Sequence, residues 1–303
     1  KYILILDMIL RVKLKSMFKK IIGKCKNLLI LGRYDNPTGA LLLMWPCFWG
    51  VLSFKSQLDH IFASLSLFVI GSFVMRGAGC CVNDLFDKNF DKYVQRTKDR
   101  PLASGKVKNY EAVLFICFQL FIGLMVVIQF NWQVILFSFS IIPLVIFYPF
   151  LKRITYFPQF FLGLAFNWGV IIGHMTQNQE FDFQILYLYF AGVFLTTAYD
   201  TIYGFQDIND DKKLGLKSLS ILIEKNKNSL LLLYFLSFAL FFVFFFLKFQ
   251  NQILVYIFSF TILVIYLHQF YSLKIGVSKI KIFKSNALFG FLISLMILIL
   301  NYL

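Results

Sequence analysis

Long apolar runs broken by short polar segments set the pattern of this chain. Runs of about 18 to 22 apolar residues recur, the length an α-helix needs to cross a bilayer core of roughly 30 Å. They predict spans near 39–55, 60–82, 109–129, 131–149, 156–174, 184–203, 228–247, 251–272 and 285–302. Lipid offers the backbone no hydrogen bonds, so a span is either a helix or a strand of a closed barrel. The runs lack the alternation of a barrel, so helices are expected. The predicted architecture is all-α and polytopic, with about nine transmembrane helices in a domain covering 34–303 behind a basic arm, 1–33.

Composition strengthens this picture. Apolar residues make up 59% of the 303 and the mean hydropathy is +0.74, more than a water-soluble domain can bury. The net charge of +15 could suggest a nucleic-acid partner, but its placement argues otherwise. The arm holds nine Lys/Arg, and the loops after the second, fourth, sixth and eighth spans hold seven, two, five and four. That is 27 of 30; the rest are Lys55, Arg76 and Lys248. So one-sided a split follows the positive-inside rule and puts the arm and the even loops on the cytoplasmic or matrix side. The basic, acid-poor stretch 8–33 fits an interfacial helix or the remnant of a transit peptide. Five cysteines without a CxxC read as small buried hydrophobes. The three histidines, far apart in sequence, argue against a histidine metal or haem site.

Acidic residues are scarce, and their positions carry the chemistry. Eight of the 15 lie in two segments that begin where an apolar span ends: Asp84, Asp87, Asp91 and Asp99, then Asp200, Asp207, Asp210 and Asp211. Carboxylates beside a membrane interior are costly and point to function. Asn83, Asp87 and Asp91 are spaced i, i+4 and i+8, which places them on one face if the helix runs on. Asp200, Tyr203, Asp207 and Asp211 are spaced i, i+3, i+7 and i+11. On a continuous helix the three aspartates of that set fall within roughly 40° of one another. Asp84 and Asp210 are expected to point elsewhere.

Stacked carboxylates repel unless a cation sits between them. Oxygen-only donors without His or Cys suit a hard divalent cation such as Mg²⁺, completed by water and substrate phosphates. Two such stripes facing each other would hold metal-bound diphosphate, with Arg96, Lys98 and Arg100 available for the remaining phosphate oxygens. Arg76 lies on the Asn83 face, about two turns (roughly 10 Å) deeper. Its partner is an aspartate or a carboxylated substrate, unless it snorkels to the interface. Gly77 and Gly79 read as helix-packing positions.

NDLFDKNFDKYVQRTKDRPLASG (83–105) and YDTIYGFQDINDDKKLGLKS (199–218) closely resemble the two aspartate-rich signatures of the UbiA-type membrane prenyltransferases. GRYDNPTGALLLMWPCFWG and YPFLKRITYFPQFFLGLAFNWG are similar to that family's first-helix and fourth-loop segments. The likeness runs from about residue 30 to the C-terminus, and RTKxRPLASG is most similar to the 4-hydroxybenzoate polyprenyltransferase branch. The resemblance implies a UbiA-type bundle with Asn83, Asp87, Asp91, Asp200, Asp207 and Asp211 holding Mg²⁺ on a polyprenyl diphosphate. Among these, Asp87, Asp91, Asp200 and Asp207 would be essential to transfer. It also implies that Arg96, Arg100, Lys152 and Tyr148 touch the diphosphate, and that Arg33, Arg76 and Tyr203 line the aromatic acceptor's place. Asn36, Thr38 and Gly204 depart from the family's commoner residues.

The expected reaction is electrophilic aromatic substitution: diphosphate leaves, and the ring carbon ortho to the hydroxyl of 4-hydroxybenzoate takes the allylic cation, in ubiquinone biosynthesis. The expected partners are these two substrates and the bilayer, with no nucleic acid and no obligatory protein partner. The membrane is a bacterial inner membrane or the mitochondrial inner membrane. A sister enzyme using homogentisate or a naphthoate would keep the same metal logic. A transporter would instead call for inverted repeats with broken midplane helices, and the sequence has none.

Overall fold

The structure, a computed structural model, describes residues 2–177 and 181–302. It is helical, with no strand among the described residues. In chain order the helices are α1 (Tyr2–Leu31), α2 (Thr38–Leu52), α3 (Leu58–Asp91), α4 (Asn109–Val127), α5 (Trp132–Ser140), α6 (Ile142–Ile154) and α7 (Pro158–Gln177). They continue with α8 (Ile185–Gly204), α9 (Ile208–Lys213), α10 (Leu219–Leu222), α11 (Leu230–Lys248), α12 (Gln252–Lys274) and α13 (Lys279–Tyr302).

Each of the nine expected stretches is helical, but the count of spans changes. Among the described residues seven stretches are long and apolar enough to cross a membrane: α3, α4, α5 with α6, α8, α11 with the short turn before it, α12 and α13. α2 has only 15 residues. α7 carries Gln159, Asn167 and His174 and is not among the seven. The span expected as one helix over 131–149 is broken at Ile141, with α6 starting just beyond. Pro143 explains the break, because it has no N–H to return to the Phe139 carbonyl. The cysteines also divide: Cys47, Cys80 and Cys81 are buried, whereas Cys25 and Cys117 are exposed, contrary to expectation, and all five are free thiols.

Two compact units divide the chain. The first comprises Lys1–Pro37 and Phe73–Gly123, and so holds α1, the C-terminal part of α3 and most of α4. Its apolar centre is Leu31, Cys81, Leu102, Val107, Ala112 and Ile116. Gly77 behaves as the packing position expected of it: an added Cβ would lie 2.3 Å from Gln119 Nε2 and 2.6 Å from the Tyr34 hydroxyl. Gly79 does not, having open space at the same point.

The second unit, Thr38–Ser72 with Leu124–Leu303, is built around α2, α7, α8, α11 and α13. α2 and α7 cross at backbone contact. A Cβ on Gly50 would lie 2.1 Å from the Val170 carbonyl oxygen, and one on Gly173 would lie 2.2 Å from that of Cys47. Small residues are what permit such an approach between helices in lipid. Polar side chains are matched between helices: Trp49 Nε1 donates to the Gly290 carbonyl at 3.0 Å and Asn167 Nδ2 to Thr196 Oγ1 at 2.8 Å. Tyr234 donates to Gln269 Oε1 at 3.0 Å. Gly50→Ala or Gly173→Ala is therefore expected to cost about 1–3 kcal/mol by overpacking. Thermal unfolding in detergent checks this, and an unchanged midpoint for both would contradict the crossing.

Candidate functional site

α3 runs unbroken to Asp91, so Asn83, Asp87 and Asp91 do share one helical face at its end, with Arg76 two turns earlier. Beyond Asp91 the chain forms an ordered loop, not a solvated tail. Thr97, Leu102, Ala103 and Val107 are buried, and Thr97 Oγ1 donates to the Asp91 carbonyl at 3.1 Å. Backbone bonds from Lys98 to Val94, Ser104 to Arg100 and Val107 to Pro101 fold the loop back on itself. The outcome is that Arg100 returns to the end of α3.

Arg100 meets two carboxylates there. Its Nη1 donates to Asp84 Oδ1 at 3.0 Å and to Asp91 Oδ2 at 2.8 Å. Asp84 is 2% exposed; its second cation is Arg33, whose Nη2 donates to both carboxylate oxygens at 2.9 and 2.7 Å. Two acids and two guanidiniums thus form one charge-balanced network, the condition under which a buried carboxylate is tolerated. This corrects the expectation that Asp84 points elsewhere. Asp84 and Asp91 are seven residues apart, which on an α-helix separates them by only about 20°. That spacing is the signal in the sequence.

Arg33 reaches the network through unusual backbone. α1 ends in a Schellman arrangement: Arg33 N–H bonds Ile30 O and Tyr34 N–H bonds Leu29 O, both at 3.0 Å. The left-handed position this requires, normally glycine's, is taken by Arg33 itself at φ 61°. Gly32 is needed beside it, because a Cβ there would lie 2.6 Å from the Tyr34 ring. The Arg33 Nη1 turns back onto the Ile30 and Leu31 carbonyls at 3.1 and 3.2 Å. Both of its Nη atoms are thus engaged, Nη2 on the two oxygens of one carboxylate, leaving Nε–H for any ligand. Burial disfavours the Arg33 cation, but Asp84 outweighs that and holds its pKa above the already high ordinary value.

The second aspartate set departs from the continuous helix expected. Asp200 and Tyr203 lie on α8, which stops at Gly204. Gln206 N–H bonds Tyr203 O and Asp207 N–H bonds Gly204 O, three-residue turns in which each residue rotates about 120° rather than the roughly 100° of an α-helix. Asp207 then stands just before the six-residue α9, without a side-chain cap bond to it, and α9 carries Asp210 and Asp211. The four residues therefore do not lie on one uniform α-helical face. Tyr203 packs on Phe283, ring centroids 4.7 Å apart. Tyr148 and Lys152 sit one turn apart near the end of α6. Lys152 and Arg96 are exposed, Tyr148 and Arg76 half-buried.

For a divalent cation, the donors on α3 are an amide and two carboxylates. Among the described residues no three His, Cys, Asp or Glu side chains gather closely enough to hold a metal ion by themselves. The set fits Mg²⁺, which takes one or two carboxylates and fills its shell with water and phosphate oxygens.

A profile of the UbiA prenyltransferase family matches residues 43–295. The chain belongs to that family. Relatives include the mitochondrial 4-hydroxybenzoate polyprenyltransferase of Drosophila melanogaster, 44% identical over 71% of this chain and 55% of that one. The 4-hydroxybenzoate geranyltransferase 1 of Lithospermum erythrorhizon is 45% identical over 63% and 62%. The chain thus spans about half the length of the Drosophila relative. Among solved structures, the UbiA homolog of Aeropyrum pernix K1 in its apo form matches with a TM-score of 0.71 at 21% identity, over 86% of this chain and 97% of that one. The UbiA homolog of Archaeoglobus fulgidus bound to GPP and Mg²⁺ gives 0.71 at 19% identity, over 91% and 100%. These likenesses establish the fold as that of a UbiA membrane prenyltransferase.

The left-handed Arg33 gives a direct test. Arg33→Gly and Arg33→Ala both remove the ion pair, but only alanine places a Cβ at positive φ. The glycine variant is expected to be more stable by about 1 kcal/mol, roughly 2 °C in thermal midpoint for a chain of this size. Equal midpoints would contradict the assigned backbone.

Proposed function

We propose that this UbiA-family chain transfers a polyprenyl group from polyprenyl diphosphate to the carbon ortho to the hydroxyl of 4-hydroxybenzoate, releasing diphosphate, in ubiquinone biosynthesis. The observation that carries the reading is the end of α3, where Asn83, Asp87 and Asp91 share a face and Arg100 is folded back among them. The names of the curated relatives support the acceptor, and the Archaeoglobus homolog, bound to GPP and Mg²⁺, supports the diphosphate and the metal.

In this reading Asn83, Asp87 and Asp91 on α3 would hold Mg²⁺ for the diphosphate, and Asp200, Asp207 and Asp211 from α8 to α9 would do the same. Mg²⁺ held by these residues would supply Lewis-acid stabilisation of the diphosphate's negative charge. Arg96, Arg100 and Lys152 donate to phosphate oxygens that gain charge in the same step, and Tyr148 offers a hydroxyl beside Lys152. Arg76 receives the acceptor's carboxylate, with Tyr203 lining the place and Arg33 contributing its Nε–H. The ring then attacks the allylic carbon, and the proton lost from that ring carbon restores aromaticity. The prenyl tail stays in lipid, which accounts for housing the reaction among apolar helices. The basic arm and the basic loops after the second, fourth, sixth and eighth expected spans support a matrix-side position for the aspartates in the mitochondrial inner membrane, or a cytoplasmic one in a bacterial membrane. The names of the relatives favour the mitochondrion.

Asp87→Ala, Asp91→Ala and Asp207→Ala are each expected to cut prenyl transfer by at least a hundredfold while the protein still inserts and purifies normally, the scale on which electrostatic catalytic groups act. Normal turnover by all three would sink the metal site. Arg76→Ala is expected to raise KM for 4-hydroxybenzoate about tenfold or more, the loss of one charge-assisted contact, with little change in KM for the prenyl donor. An acceptor KM left at the wild-type value would remove Arg76 from that role.

A further inference from the structure

The proposed reaction has no use for the buried carboxylate of Asp84 near the end of α3. Its surroundings give it one. It makes three hydrogen bonds, all to guanidiniums: two from Arg33 Nη2 and one from Arg100 Nη1. At 2% exposure it has no access to bulk water and none to a ligand of any size. A group so enclosed acts through its partners.

The two arginines are bound differently. Arg33 is engaged almost entirely by Asp84 and by the last carbonyls of α1, so its head group is fixed. Arg100 uses one nitrogen, Nη1, to bridge Asp84 and Asp91. Its Nη2 and Nε carry three further N–H bonds, and the side chain keeps 27% exposure. Arg100 therefore presents a planar fork on its open side while Asp84 grips it from the closed side. Such a fork suits two oxygens of one phosphate, provided it is held in orientation.

We propose that Asp84 is a positioning residue: it anchors the Arg100 guanidinium beside the Asn83–Asp87–Asp91 face, with Arg33 as the second cation that makes a buried anion tenable there. The inference rests on the reading of this face as a diphosphate site. The anchor keeps Arg100 in place when Asp91 turns from the arginine to another cation. Holding the fork in advance also spares the ordering of a long, flexible side chain when the ligand arrives.

The test is a double-mutant cycle on the full chain purified in detergent, with calorimetry of inorganic diphosphate in the presence of Mg²⁺ as the readout. Asp84→Asn and Arg100→Gln are each expected to weaken diphosphate binding about tenfold or more, the size of a lost charge-assisted contact. Because one acts through the other, the double variant should bind within about twofold of the weaker single variant. Losses that multiply in the double variant would overturn the proposal, as would wild-type binding by Asp84→Asn or no binding by the wild type. If Asp84→Asn yields no folded protein, Asp84→Glu carries the test. It keeps the charge but moves it by one methylene, and is expected to weaken binding at a near-normal thermal midpoint; unaltered binding would overturn the anchor. Prenyl transfer measured alongside separates the two readings. A wild type that binds diphosphate with the expected cycle but transfers no prenyl group leaves the anchor standing and removes the transferase. Normal transfer with an additive cycle does the reverse.

Discussion

A charge placed at the end of an apolar helix must be paired or it destabilises the fold. In this chain that requirement is met at Asp84, enclosed between Arg33 and Arg100. Much of the first unit depends on it. The end of α1 is turned into a left-handed arginine so that its side chain can reach the carboxylate. The loop after α3 is folded back through buried Thr97, Leu102 and Val107 so that Arg100 can do the same. Removing one partner of such a buried pair typically costs about 3–5 kcal/mol, because the other charges are left uncompensated. The network therefore fixes both the local fold and the position of the residues most suited to an anionic ligand.

The second unit obeys a different constraint. Lipid gives no hydrophobic drive between helices, so association depends on close approach and on polar pairs. Gly50 and Gly173 allow α2 and α7 to touch backbone to backbone. Asn167 with Thr196, Ser237 with Tyr266 and Tyr234 with Gln269 link neighbouring helices. Asp200, Tyr203 and Asp207 stand at the end of this packed assembly, where α8 gives way to three-residue turns.

Much of this is legible in the sequence, for physical reasons that differ by feature. Runs of apolar residues have no other use at such length, so each stretch expected from them is helical, though not each is a span, and the i, i+4, i+8 spacing on α3 survives because that helix is continuous. The misses are equally physical. Pro143 is visible in the 131–149 run, but apolar content outweighs it and hides the break at Ile141. The turn at Phe205–Asp207 breaks a periodicity that assumes one helix. Asp84 escapes notice beside Asn83, one residue away; only its seven-residue spacing to Asp91 reveals the shared face. Arg33 cannot be placed from sequence, since a non-glycine residue at positive φ is imposed by its tertiary partners.

The proposed transfer to an aromatic acid requires the aspartates at the end of α3, and those at the end of α8, to hold Mg²⁺ for a diphosphate head group. The most direct measurement is product formation by the purified chain from a polyprenyl diphosphate and 4-hydroxybenzoate as Mg²⁺ is titrated. The expected product is a 3-polyprenyl-4-hydroxybenzoate whose yield rises with Mg²⁺ to saturation and vanishes in excess EDTA. No prenylated product with any donor length, or a yield indifferent to EDTA, would contradict it.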